Sequence, residues 1–296
     1  MSSAFRRIAL IGKLHSPEIA SSMRALRDIV VARGAEVMVE QETAALFDGT
    51  VPAKSYDEIG AGADLAIVVG GDGTMLAAAR SLVRHKTPLA GINQGRVGFM
   101  TDIALSDMPG AVGAILEGRY SIEGRSLIEA EIRRGERSLL KTLALNEAVV
   151  GKGSQGRLIE FALYLDGEYV YTLRADGMIV ATATGSTAYA LSAQGPILHP
   201  SVPAFALVPL NPHTLSARPV SVSDRSVIEI KLLRAHDARA HFDGFALTDL
   251  AEGDRLVLRR SADAIRFIHP PGYSYFVMLR EKLRWSEAVE RAAFLE

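Results

Sequence analysis

Three glycines and one carboxylate, Gly70-Gly71-Asp72-Gly73-Thr74, separate a short β-branched apolar run, Leu65-Ala66-Ile67-Val68-Val69, from a stretch of helical composition and spacing at residues 75–83. The run reads as a buried strand. A strand that passes directly into a helix belongs to an α/β unit. Glycines at the junction let the backbone take unusual φ and expose its N–H groups to an anion. The helix N-terminus behind them adds positive potential. An aspartate in such a loop repels phosphate, so Asp72 is expected to act on a hydroxyl or a metal. The plainer alternative is a tight turn in which Asp72 caps the helix.

The first hundred residues repeat this alternation. A strand at 8–11 precedes a helix with Ile19, Met23, Leu26, Ile29 and Val30 on one face, and Gly34 stops that helix. A strand at 36–39, a loop-rich stretch to Gly62, the strand at 65–69 with its helix, and a short strand ending at Asn93 follow. Ligands of open parallel sheets bind at the carboxyl ends of strands, where both the glycine loop and residues 93–98 fall. Around Tyr120 helical periodicity fades. Strand-like runs replace it at 127–133, 139–150, 158–165, 169–174, 178–183, 204–209, 227–233, 255–259 and 265–268, with Asp166-Gly167 as a hairpin signal. The expected fold is an α/β domain with a parallel sheet at 1–118 and an all-β, sandwich-like domain at 119–272. A C-terminal helix at 273–296 is expected to pack back on the first domain.

Composition narrows the function. Lysines and arginines are spread along a chain of net charge −1, so nothing points to a nucleic-acid or membrane-surface partner. An anionic ligand must be held by local groups. There is no cysteine, which excludes disulfides and thiolate metal sites, and the seven histidines are scattered without metal-ligand spacing. No protein-borne metal site is expected. Residues 5–12 read as the first strand, running into Gly12-Lys13, and not as a signal-peptide core. No run approaches the roughly 18 apolar residues of a membrane span, so the expected location is cytoplasmic.

Several polar clusters interrupt the β region. Asn146-Glu147 stands between Leu143-Ala144-Leu145 and Ala148-Val149-Val150, as a bulge near a sheet edge or as partners for a sugar hydroxyl or a base edge. Asp176-Gly177 precedes the hydroxyl-rich turn Thr182-Ala183-Thr184-Gly185-Ser186-Thr187-Ala188-Tyr189-Ala190-Leu191-Ser192, which suits a phosphate or ribose, with Tyr189 able to stack on a base. Pro212-His213-Thr214-Leu215-Ser216-Ala217-Arg218-Pro219 reads alone as a loop, and Gly151-Lys152-Gly153-Ser154 as a flexible β loop lacking P-loop spacing. Gly71-Asp72-Gly73-Thr74-Met75-Leu76 begins like a dinucleotide fingerprint, but it ends in leucine and follows the third strand, not the first.

Taken together, the glycine–aspartate loop, Asn146-Glu147, the Gly185–Tyr189 turn and the His213–Pro219 stretch resemble the NAD kinase family. Phe276, Leu279-Arg280-Glu281-Lys282-Leu283 and Trp285 are similar to it as well. The glycine–aspartate loop alone is shared with lipid and sugar kinases of the same superfamily, and the Asn-Glu and Gly-Ser-Thr-Ala-Tyr elements are the more specific ones. The resemblance implies transfer of the γ-phosphoryl of ATP, or in some members of polyphosphate, to the 2′-hydroxyl of the adenosine ribose of NAD, giving NADP. It also implies a cleft between the two domains and a homodimer or homotetramer.

The residue roles implied are these. Asp72 faces the 2′-hydroxyl as base or orienting acceptor. Gly71, Gly73 and Thr74, with Mg²⁺, hold the donor phosphates, and Asn146 and Glu147 hold the adenosine or ribose portion. Thr187, Ala188, Tyr189 and Ser192 line the NAD site, and Asp176 bonds to the nicotinamide end. Arg157 and Arg174 match positions that contact NAD, Arg157 across a subunit interface and Arg174 at a position tied to the choice between NAD and NADH. Two departures stand out: Phe245 follows Asp243-Gly244 where the family often has an amide, and Ala183 replaces a frequent proline. A lipid or sphingoid kinase, or a non-catalytic NAD(P)-binding protein, is the alternative. Donor, NADH acceptance, oligomer size and feedback are left open.

Overall fold

Parallel pairing organises the N-terminal part of the chain. In the computed structural model, which describes residues 4–12, 17–47, 49–95, 98–154 and 156–285, strand Arg7–Gly12 lies between Glu36–Glu40 and Leu65–Gly70, and Leu89–Asn93 follows beyond Leu65–Gly70, all parallel. The short strand Ile103–Ala104 adds to Leu89–Asn93, also parallel. All six residues of Leu65–Gly70 are buried, as a central strand of a parallel sheet requires. Leu65, Ile67 and Val69 pack with Met23, Leu26 and Val30 of helix Pro17–Ala32 and with Val112 and Ile115 of helix Met108–Leu116. Ala66 and Val68, of opposite parity, face the other side.

The described residues divide into two compact units. One is drawn from Met1–Glu123 and Ile265–Glu296, the other from Gly124–Ala264. Strand Arg255–His269 carries the chain back into the first unit, where Phe267 pairs with Leu89 in parallel. The last described helix, Tyr275–Leu283, belongs to that unit too. The Ser274 hydroxyl caps it by accepting the Val277 amide, and Tyr275, Met278 and Leu279 are its buried residues. The remainder of the helix expected to 296 lies outside the described residues. No helix among them is long and apolar enough to cross a membrane.

The second unit is built from antiparallel strands. One group joins Ile159–Leu165 to Glu168–Ala175 and Ile228–Arg234, and the latter to the start of Arg255–His269. The hairpin residues Asp166 and Gly167 both have positive φ, +53° and +84°, as a two-residue turn demands. The other sheet runs Val220–Ser223, Ala204–Leu210, Gly177–Ala181, Glu147–Gly151, Arg239–Phe242, Ala246–Asp249. Phe161, Leu163 and Ile230 of the first group share one core with Ala148, Val150, Met178, Val180, Phe205 and Phe242 of the second, so two sheets meet face to face. The strand expected over 139–150 is two strands. Arg137–Ala144 pairs with Ser121–Arg134, and Glu147–Gly151 pairs in the second sheet. Leu145 and Asn146 make the crossing between sheets, so the polar pair marks a sheet change and not an edge bulge.

Candidate functional site

The glycine loop is built differently from the expectation that glycine supplies unusual φ. None of Gly70, Gly71 and Gly73 has a positive φ, and Gly71 is extended at φ −105°, ψ −175°. A Cβ on Gly70 would meet the Thr74 hydroxyl at 2.7 Å. A Cβ on Gly71 or Gly73 would meet nothing within 4 Å. Those two positions are therefore open surface, where a missing side chain lets another molecule approach the backbone. Gly71 is the N-cap of helix Asp72–Leu82, so Asp72 is the first helical residue and not its cap. The first amides of a helix have no intrahelical acceptor, which suits an anion.

Asp72 turns its carboxylate toward residues 99–101. Oδ2 accepts the Phe99 amide at 3.0 Å, and Oδ1 accepts the Met100 amide at 3.1 Å and the Thr101 hydroxyl at 3.4 Å. The Asn93 side-chain amide donates to that same hydroxyl at 2.8 Å. The segment lies so close that a Cβ on Gly98 would overlap the Asp72 carboxylate, and one on Gly91 would reach the Met100 carbonyl at 2.6 Å. A carboxylate offers about four lone-pair sites. Three are taken, which leaves one on Oδ2 of a fixed, half-buried acid. Of the expected segment 93–98, residues 96 and 97 lie outside the described residues.

In the second unit a cavity of about 520 Å³ opens on the outer face of the second sheet. Strand alternation decides its floor. Ala148 and Val150 point into the core, so Glu147 and Val149 point outward, and His241, paired with Val149, joins them. The Asp243 carboxylate fixes the start of that strand by accepting the amides of Leu145 and Asn146, both at 2.8 Å, and of Glu147 at 3.1 Å. Asp243 stands at φ +51°. Next to this crossing, a Cβ on Gly185 would collide with the backbone of Asn146, so glycine alone fits there.

Glu147 and Asn146 are both 8% exposed, yet Glu147 Oε2 and Asn146 Oδ1 have no hydrogen-bond partner among the described residues. Leaving a buried acceptor unpaired costs about 1–3 kcal/mol. Two adjacent orphaned acceptors therefore point to a ligand that brings N–H or O–H donors. Burial, reinforced by the charge of Asp243, pushes the Glu147 carboxyl up to about 7. At that value it exchanges donor and acceptor roles near neutrality, as contact with ribose hydroxyls or an amino-purine edge allows.

At the rim, Asp176 Oδ1 pairs with Lys152 Nζ at 2.6 Å, and Oδ2 accepts the Asn211 side-chain amide at 2.9 Å. Burial raises the Asp176 carboxyl, but the bonds from Lys152 and Asn211 outweigh it, so the acid sits below its ordinary range. Tyr189, 47% exposed, offers a ring face at the same cavity. Among the expected residues, Glu147, Asp176 and Tyr189 line the cavity together. Thr187, Ala188 and Ser192 adjoin Tyr189, and the Thr187 hydroxyl is spent on the Thr184 carbonyl at 3.1 Å. The Ser186 hydroxyl is likewise internal, bound to the Ala183 carbonyl and the Leu198 amide. Much of the hydroxyl content of this turn thus serves the turn.

Arg157 is exposed and lies outside that cavity. Arg174 lines a second cavity of about 470 Å³ with His213, Ser216 and Arg218. Lys152, Asn211 and His241 were not expected in the first cavity. The Gly151-Lys152-Gly153 stretch is fastened there: the Lys152 amide donates to the Asp176 carbonyl at 2.8 Å, and a Cβ on Gly153 would strike Asp237. Its one sequence signal was a lysine between glycines at a strand end.

The chain matches the family model of the ATP-NAD kinase N-terminal domain over residues 8–120 and that of the C-terminal domain over 145–270. It is 56% identical over 293 residues to an NAD kinase of Aromatoleum aromaticum, covering 98% of each chain. It is 54% identical over 288 residues to one from Azoarcus sp., covering 97% of this chain and 98% of that one. An NAD kinase of Archaeoglobus fulgidus, solved in complex with ATP, superimposes with a TM-score of 0.72 at 28% identity, over 94% of this chain and 98% of that one. A yeast NADH kinase complexed with NADH shares the fold, with a TM-score of 0.85 at 23% identity over 93% of this chain and 86% of that one. The pinned aspartate, the orphaned Asn-Glu pair and matches at both ends of the chain thus agree: the protein belongs to the NAD kinase family.

Proposed function

We propose that the chain transfers the γ-phosphoryl group of ATP to the 2′-hydroxyl of the adenosine ribose of NAD, forming NADP. The observation that carries this reading is the Asp72 carboxylate, held by three donors with one lone pair free, at the amide-rich start of a helix. A ribose hydroxyl is a weak nucleophile at neutral pH. Phosphoryl transfer asks the protein chiefly for positioning and for charge stabilisation. Asp72 orients the hydroxyl and accepts its proton. Gly71 and Gly73 receive the donor phosphates where no side chain covers the backbone, and Thr74, whose amide donates to the Gly71 carbonyl at 3.0 Å, offers its hydroxyl.

Asn146 and Glu147 bind the adenosine portion through their unpaired acceptors. Tyr189 stacks on a ring, with Thr187, Ala188 and Ser192 beside it, and Asp176 meets the amide of the nicotinamide end. Among the described residues no group of three or more metal-ligating side chains exists. Mg²⁺ would be held together with the donor phosphates beside Gly71, Gly73 and Thr74. Its chemistry there would be neutralisation of phosphate charge. Self-association, with Arg157 reaching the NAD of a second copy, is part of the same proposal, as is a cytoplasmic location.

The test is incubation of the purified chain with NAD, ATP and Mg²⁺, followed by NADP detection with an NADP-specific dehydrogenase. NADP formation supports the reading, and its absence ends it. Parallel reactions with polyphosphate as donor and with NADH or a sphingoid base as acceptor assign the substrates.

A further inference from the structure

We infer that His269 is a positioning residue for phosphoryl transfer: its bond to Asp102 anchors the segment that holds the Asp72 carboxylate. The inference rests on the role proposed above for Asp72. His269 closes strand Arg255–His269 and is 4% exposed. Its Nδ1 lies 2.9 Å from Asp102 Oδ2, its Nε2 3.9 Å from Glu123 Oε1, and its ring stacks on Tyr273 at 3.7 Å and 5°. Asp102, Glu123 and Tyr273 are the titratable groups facing it, and Phe267 lies beyond at 6.5 Å. None of these residues lines the cavity assigned to NAD.

The place of Asp102 in the chain gives the cluster its purpose. Phe99, Met100 and Thr101, immediately upstream, are the three donors to Asp72. Immediately downstream, Ile103 pairs with Ile92 in the sheet. The Asp102 side chain, 8% exposed, is tied to His269 between these two fastenings. Burial lowers a histidine, but the hydrogen bond to Asp102 and the nearby Glu123 carboxylate outweigh it, so His269 is held above its ordinary value. Without that partner, Asp102 is left as a buried carboxylate deprived of its counter-charge. It relieves the penalty by moving toward water, and residues 99–101 move with it. A small displacement of a catalytic acceptor costs rate more than substrate affinity.

The experiment measures kcat and KM for NAD, per folded enzyme, in His269→Phe, His269→Asn, Asp102→Asn, the double variant His269→Phe/Asp102→Asn, and Asp72→Asn. His269→Phe keeps an aromatic ring over Tyr273 but loses the bond. It is expected to lower kcat about tenfold or more, with KM for NAD within about threefold. His269→Asn places an amide N–H near the Nδ1 position and is expected to restore most of the rate. Asp102→Asn is expected to match the loss, and the double variant to be no worse than either single one.

An unchanged kcat in His269→Phe and Asp102→Asn, with only a lower melting temperature, overturns the inference. Should His269→Phe fail to fold, Asp102→Asn decides alone on the same terms. A near-normal rate in Asp72→Asn refutes the role of Asp72 itself. A dead Asp72→Asn beside normal His269→Phe and Asp102→Asn variants refutes only the role of His269.

Discussion

The Asp243 carboxylate accepts the backbone amide of Asn146 at 2.8 Å, joining positions 97 residues apart. With the amides of Leu145 and Glu147, it fixes the point where the chain crosses between sheets. That crossing aims Glu147 into the cavity. Asp243→Asn keeps the shape but turns one acceptor into a donor facing backbone N–H groups. We expect a stability loss of about 2 kcal/mol and a KM for NAD raised about tenfold, equivalent to about 1.4 kcal/mol. Denaturant melts and NAD titrations check both. An unaltered KM would mean that the Asn146-Glu147 backbone does not depend on Asp243.

Glu147 gives a pH-dependent signature. Its folded value, pushed up to about 7 by burial and by Asp243, lies above the ordinary 4.5, so the folded state prefers the protonated form. The associated stabilisation is complete below pH 4.5 and is lost as pH rises through about 7. Glu147→Gln is neutral throughout. It is expected to match the wild type near pH 4.5 and to exceed it by on the order of 3 kcal/mol above pH 8. A stability difference that stays flat across this range would contradict the buried, unpaired carboxyl.

Gly98 is a steric test of the Asp72 site. A Cβ there would overlap both the Asp72 carboxylate and the Thr101 hydroxyl. Gly98→Ala must push the acid away from the Phe99 and Met100 amides. A fall in kcat of about a hundredfold is expected, as for a misplacement near 1 Å, while KM for NAD changes little. Gly110→Ala, where a Cβ meets nothing within 4 Å, is the control and is expected to be silent.

Local features were legible from the sequence. The strand Leu65–Gly70, its loop and helix Asp72–Leu82 need only neighbouring residues to be read, as does the Asp166-Gly167 turn. The Asn146-Glu147 pair announced itself as polar residues in an apolar run, but its setting did not. The break between Arg137–Ala144 and Glu147–Gly151 arises from pairing partners far along the chain. In the sequence Asp243 stands out only through Phe245 two residues on, and its grip on three distant amides is a property of the fold. Glycine gave the least reliable signal of cause. Gly185 and Gly98 are required by close approach, Gly71 and Gly73 leave open surface, and no positive φ is involved at any of the four. Arg174 illustrates the same limit, since its neighbours His213 and Arg218 come from a loop about 40 residues later.

The most direct test is Asp72→Asn, compared with the wild type for kcat and, by calorimetry, for NAD affinity. A carboxylate that acts on the hydroxyl in the transition state predicts a loss of about a thousandfold or more in kcat with NAD affinity within about tenfold. A near-normal rate, or a collapse of NAD binding that accounts for the lost activity, would contradict it and make Asp72 a structural residue.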